Sequence, residues 1–227
     1  MIVLRDDYLF TDRADAGRRL AKTLEPYRAQ RPLILCIPRG GAPVAAEVAR
    51  LLDAELDVVV ARKLGAPGAR ELAIGAVTAN GGRYLNNDII RELGVSPAYV
   101  EAETAAQRAE AERRETLFRD GHAPPTITGR LVVVVDDGLA TGATMRAAVR
   151  SVHQGGPGVL VAAIPVGARE SCAALRCEVD TLVCLHEPED FWAVGFYYQH
   201  FEPTDDEQVR DLLREARRRI VAARSAV

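Results

Sequence analysis

Five short apolar runs, each continuous rather than alternating, constrain this chain more than any other feature. They are Leu33–Ile37, Glu55–Ala61, Leu131–Val135, Val159–Val166 and Thr181–Leu185. A strand that is apolar at successive positions has both faces covered, as in a parallel sheet between helices. Helical patterns lie between the runs: Ala42–Leu52, a stretch from near Thr144, and Arg169–Arg176. The β-α-β order with right-handed crossovers predicts an α/β fold with a doubly wound parallel sheet. With 227 residues, 48% of them hydrophobic and 27% charged, the chain can bury such a core without staples.

Four segments lie outside this repeat. Residues 11–29 read as an amphipathic helix with Thr11 or Asp12 as its cap. Residues 62–86 are rich in glycine and lack regular periodicity as far as Gly82. Residues 97–119 read as a long solvated helix, capped by Ser96 and opened by Pro97. Residues 187–203 read as irregular and aromatic, before a last helix from about Asp205 to Ala223. No repeat or separating linker is visible, so 1–227 reads as one domain with its core at about 30–186.

The net charge of −3 supplies no global field toward nucleic acid. The Arg217-Arg218-Arg219 run ends a helix that starts acidic, as the helix dipole favours. Met1–Asp7 turns acidic too early for a signal peptide, and no apolar run approaches the ~20 residues of a membrane span, so a cytoplasmic protein is expected. Cys177, Cys184 and His186 could group around a metal. However, Cys184-Leu185-His186 reads as the end of a buried strand, and Cys36, Cys172, Cys177 and Cys184 read as free thiols.

The most specific string runs from Val132 to Thr144: four valines, Asp136, Asp137, then Gly138-Leu139-Ala140-Thr141-Gly142-Ala143-Thr144. A buried strand ends in two carboxylates, and a loop of small residues enters a helix. In a parallel sheet the carboxyl edge is where ligands bind. Free N–H groups and Thr hydroxyls at a helix N-terminus suit an anion, and the carboxylates suit hydroxyls or a hydrated cation. Gly138 and Gly142 are too close together for a nucleoside-triphosphate loop, no lysine precedes Thr144, and the dinucleotide fingerprint is missing.

This string resembles the signature of the type I phosphoribosyltransferases, above all their adenine and orotate branches. The resemblance implies that Asp136 and Asp137 hold the ribose 2′- and 3′-hydroxyls of phosphoribosyl diphosphate (PRPP). It also implies that Ala140, Thr141, Gly142, Ala143 and Thr144 wrap its 5′-phosphate, with Mg²⁺ carried mainly by PRPP and water near the aspartates. Cys36-Ile37-Pro38-Arg39-Gly40-Gly41 resembles the family's diphosphate-binding loop, which often carries an unusual cis peptide. Arg39 would bring charge there, and Gly40 and Gly41 close N–H donors. Arg62-Lys63-Leu64-Gly65-Ala66-Pro67-Gly68 resembles a further family segment, in which basic residues that reach the diphosphate precede a closing loop, expected here over Ala66–Leu72. Lys63 is a candidate catalytic cation. Glu71 is a candidate for proton transfer by rough position only, beside its reading as a solvated loop charge.

The resemblance covers about 33–186 and departs at 87–120, where the chain adds helical material in a region in which the family usually has a short hairpin; packing or a dimer contact is the expected use of this insertion. Six of the twelve aromatics fall between Phe191 and Phe201, where the family sets a hood over the acceptor. Trp192 is the stacking candidate, and a small aromatic core joining the C-terminal helix to the sheet is the alternative. The implied reaction moves a 5-phosphoribosyl group from PRPP to a nitrogen acceptor of the nucleobase kind, releasing diphosphate. A PRPP-sensing regulator without catalysis is the competing reading. A homodimer is usual in the family, and a nucleic-acid partner is disfavoured by the charge.

Overall fold

A computed structural model describes residues 8–225; Met1–Asp7, on which the reading of the N-terminus rests, lie outside the described residues. The five apolar runs form one parallel sheet of β1 (Leu33–Cys36), β2 (Glu55–Val58), β6 (Leu131–Val135), β7 (Val159–Val166) and β8 (Thr181–His186). Its order is β2-β1-β6-β7-β8. Alternate residues of each strand serve opposite faces. Ile34, Cys36, Leu56, Val133, Val135 and Val161 pack with α1 (Arg13–Leu24), α2 (Gly41–Leu51) and α7 (Asp206–Ser225). Leu33, Leu35, Val132, Val134, Leu160 and Ala162 pack with α5 (Ala143–Gln154) and α6 (Arg169–Arg176). Each such side chain taken from water contributes about 1.5–3 kcal/mol. Asp12, of the two cap candidates, closes α1: its Oδ1 accepts from the Asp15 N–H at 2.7 Å. Pro26 then turns the expected single helix into a 3₁₀ segment, Glu25–Gln30.

The stretch expected to be irregular is instead an antiparallel sheet of β3 (Ala61–Ala66), β4 (Ala69–Thr78) and β5 (Arg83–Leu85). The expected run Glu55–Ala61 therefore divides: β2 ends at Val58, and Ala61 begins β3. Small residues explain the close fit of this sheet on α5. A Cβ on Gly82 would sit 2.6 Å from the Ala147 carbonyl oxygen and 2.5 Å from the Ser151 nitrogen. Ala66–Leu72 is thus a hairpin and not an open loop. Pro67 and Gly68 form its two-residue turn, with Gly68 at φ +76°.

The helical insertion is present as α3 (Asn87–Glu92) and α4 (Pro97–Arg119), with Ser96 capping α4 by accepting from the Tyr99 N–H at 3.2 Å. The expectation of a solvated α4 is corrected. Val100, Ala111, Glu115 and Phe118 are buried on one stripe of it. Glu115 accepts from the Val60 N–H at 3.1 Å. Arg119 bridges Glu115 and Asp57, at 2.6 and 2.9 Å, and donates to the Val58 carbonyl. The stripe went unseen because polar side chains hold part of it. Among the described residues no helix is long and apolar enough to cross a membrane.

Candidate active site

The register of the two central strands brings the two leading motifs together. Cys36 of β1 stands beside Val135 of β6, so the loop after each strand opens at the same height. Ile37 N–H donates to the Val135 carbonyl at 2.9 Å. The Pro38–Arg39 peptide that follows is cis. Gly40 and Gly41 then lie directly on the acidic pair. A Cβ on Gly40 would fall 2.1 Å from Asp137 Oδ2, and one on Gly41 would fall 2.9 Å from Asp136 Cα. One expectation is corrected here: Gly41 N–H is no free donor, since it bonds the Ile37 carbonyl at 3.1 Å. Gly41 serves close approach instead.

Asp136 and Asp137 are half-buried at the carboxyl edge of the sheet. Asp136 Oδ1 accepts the Asp137 N–H at 2.9 Å. Burial pushes the Asp136 carboxyl well above the usual carboxylate range, and the charge of Asp137 pushes it further. Burial also raises Asp137, against the pull of Arg13. Arg13 Nε donates to Asp137 Oδ2 at 2.8 Å, and its Nη1 donates to the Glu202 carbonyl at 2.8 Å. Its guanidinium lies 3.8 Å from the centre of the Phe201 ring. Sequence reasoning missed Arg13, because nothing local marks a helix-opening arginine as the partner of a carboxylate 124 positions away.

Past the aspartates, the loop folds as an amide cup. Leu139 N–H is taken by the Val166 carbonyl, and the Arg146 N–H by that of Gly142. Between them, among the described residues, no backbone or side-chain acceptor holds the N–H groups of Ala140, Thr141, Gly142, Ala143 or Thr144. Gly142 takes φ +74°, where a side chain would be strained, and opens α5. Ser171 steadies the cup from α6 by donating to the Ala140 carbonyl at 2.5 Å.

Arg62, Lys63, Arg70 and Glu71 line one cavity of about 430 Å³ together with Thr144, Glu103 and Gln107. The small sheet thus carries both predicted cations and Glu71 to the side of the cup. Arg39 is exposed and pairs with Asp206, the first residue of α7, at 3.6 Å, and does not line that cavity.

The aromatic segment divides. Tyr197 and Tyr198 are buried with Phe10, Ala16 and Val166, and Phe191 and Phe201 pack against them. This cluster joins the N-terminal segment to the sheet, not the C-terminal helix. Tyr198 donates to the Asp137 carbonyl at 2.6 Å. Trp192 is 77% exposed and Phe196 64%. The segment lies over the loop after β6, since a Cβ on Gly138 would meet Val194 at 2.6 Å. The suggested Cys177, Cys184 and His186 group does not form; Cys172, Cys184 and Glu187 have their ligand atoms within 4.8 Å of one another, with Glu187 held by Arg176. All four cysteines are free. In the C-terminal arginine run, Arg217 donates to the Arg119 carbonyl and Arg219 to those of Ala49 and Ala54.

A parallel sheet with two acidic residues and an amide cup at its carboxyl edge, flanked by a small antiparallel sheet, is the α/β fold of the type I phosphoribosyltransferases. The chain belongs to the phosphoribosyl transferase domain family, whose model matches residues 10–200. Two curated relatives from strains of Mycobacterium tuberculosis, each named "Putative phosphoribosyl transferase", are 43% identical over 210 residues, 92% of this chain and 47% of theirs. The chain therefore spans about half the length of these relatives. The crystal structure of TT1426 from Thermus thermophilus is 44% identical with a TM-score of 0.77, covering 91% of this chain and 98% of that one.

Proposed function

We propose that this protein transfers a 5-phosphoribosyl group from PRPP to a nitrogen acceptor of the nucleobase kind, releasing diphosphate. The single observation that carries the reading is the packing of Gly40 and Gly41 onto Asp137 and Asp136, which joins the diphosphate loop to the ribose pair. The free amides from Ala140 to Thr144 would take the 5′-phosphate, with the Thr141 and Thr144 hydroxyls beside them. Asp136 and Asp137 would accept from the two ribose hydroxyls.

The donor set suits Mg²⁺. Among the described residues Asp136 has no ion-pair partner and its Oδ1 accepts only the Asp137 N–H, which leaves carboxylate oxygen for a hydrated cation. Asp136 with Asp137 would hold the ion together with PRPP oxygens and water, and when bound it supplies charge neutralisation on the leaving diphosphate. As the C1–oxygen bond loosens, negative charge grows on the leaving group and positive charge on the sugar. Arg39, Arg62, Lys63 and the Gly40 amide would answer the first, and the aspartate pair the second. Glu71 would accept the acceptor's proton, and Trp192 would stack on its ring. The hairpin tip at Pro67-Gly68 would exclude water from the reacting carbon.

Diphosphate release from Mg-PRPP, followed with a panel of free nucleobases and product mass, tests the reading. Base-dependent release is the expected result. Tight PRPP binding with no turnover on any base would favour a PRPP sensor instead.

A further inference from the structure

The family signature leaves the long helix α4 without a task, yet α4 supplies two walls of the cavity that holds Arg62, Lys63 and Thr144. These are Glu103 and Gln107. Arg62 Nε donates to Gln107 Oε1 at 3.1 Å, and Gln107 Nε2 donates to Glu103 Oε1 at 3.0 Å. Only one orientation of the Gln107 amide satisfies both neighbours, because a guanidinium needs an acceptor and a carboxylate needs a donor. The donors thus run one way, from Arg62 through Gln107 to Glu103. With Nε engaged, the guanidinium plane is fixed and its terminal N–H groups stay available to the cavity.

The helix is held on both sides of this contact, to β3 itself at Gly65 and to the residue just before β3 at Val60. Tyr99 donates its hydroxyl to the Gly65 carbonyl at 3.1 Å, and Glu115 accepts from the Val60 N–H at 3.1 Å. Tyr99, Glu103, Gln107, Ala111 and Glu115 recur every four residues as successive neighbours on the helix surface, and each is at least partly buried. The insertion therefore lies along β3 as a splint, and the relay occupies its middle.

We propose that Gln107 is a positioning residue for PRPP binding, acting through Arg62 and held in register by Glu103, so that α4 is part of the substrate site. The inference rests on the reading that Arg62 meets the diphosphate. Calorimetric titration of Mg-PRPP into the wild type, Arg62→Ala, Gln107→Met and the double variant tests it. Methionine keeps the length of glutamine and removes both hydrogen bonds. Loss of a charge-assisted hydrogen bond predicts that each single variant binds about tenfold more weakly. The double variant should bind no more weakly than Arg62→Ala, since Gln107 acts only through Arg62. Glu103→Ala, a milder change, should weaken binding about threefold in the wild type and leave Arg62→Ala unaffected.

If Arg62→Ala weakens PRPP and Gln107→Met does not, the relay is wrong and the site reading stands. Multiplicative losses in the double variant also overturn the relay, because Gln107 would then act by another route. Wild-type affinity in Arg62→Ala, or a wild type that does not bind PRPP, overturns the reading of the site and the relay with it.

Discussion

Gly40 faces Asp137 so closely that a Cβ on the glycine would stand 2.1 Å from the carboxylate oxygen Oδ2. The loop after β1 and the acidic end of β6 therefore share one small volume. Gly40→Ala must push Asp137 away from Arg13 or lift the loop. The substitution should destabilise the fold by about 1–3 kcal/mol, the usual cost of overpacking. It should also weaken PRPP binding by at least tenfold. Chemical denaturation and calorimetry read the two effects separately, and unchanged PRPP affinity would uncouple this loop from the ribose pair.

Asp136 and Asp137 have folded-state proton affinities raised first by burial. The folded state therefore holds protons that the unfolded chain releases. The pair's contribution to stability is complete below the ordinary carboxylate pKa of about 4 and is lost as pH climbs through the raised folded values. Asp136→Asn removes that loss. Its melting temperature without ligand should exceed the wild type's at neutral pH by on the order of a few °C. The gain should disappear near pH ~4. Scanning calorimetry across this range decides it, and a variant that melts no higher at neutral pH would contradict a carboxyl whose proton affinity burial raises.

Arg13 is the counter-charge of Asp137, and it also ties down the Glu202 carbonyl. Arg13→Ala leaves a shielded carboxylate without a partner. The expected cost is about 2 kcal/mol, below the 3–5 of a fully buried pair because both side chains keep some solvent. Arg13→Lys should recover little of it, since one ammonium cannot span both acceptors. Urea midpoints at constant slope measure this, and recovery by lysine would show that only charge matters here.

Arg119 lies between Asp57 and Glu115, both raised by burial. Burial alone would lower Arg119, but the two carboxylates hold it above its usual value. Arg119→Met leaves the two acids facing each other. The variant should lose about 3 kcal/mol at neutral pH. It should regain part of this on acidification, as one carboxyl takes a proton well before an ordinary one would. A loss independent of pH would mean that packing, not charge, is what Arg119 provides.

Much of this was legible in the sequence, for identifiable reasons. Buried strands such as Leu131–Val135 and Val159–Val166 announce themselves because both faces are apolar, and their observed bounds match the expected ones. The small-residue turn between β6 and α5, residues 136–142, was legible because a buried apolar strand ends at two acidic residues and two glycines before a helical pattern. The strands β3 and β4 were hidden by glycine and by charged residues at Arg62, Lys63, Arg70 and Glu71, which break the apolar pattern. The inward stripe of α4 was hidden because Glu103, Gln107 and Glu115 face protein through hydrogen bonds rather than apolar contact. Arg13 was hidden by distance along the chain. The aromatic segment split between core and surface, a division that composition alone cannot make.

The central claim is that Asp136 and Asp137, braced by Gly40 and Gly41, grip the sugar of PRPP. Calorimetric titration of Mg-PRPP into the wild type and into Asp136→Asn/Asp137→Asn tests it most directly. Saturable binding by the wild type and none by a folded double variant is the predicted result. Equal affinity in the two proteins would contradict the account.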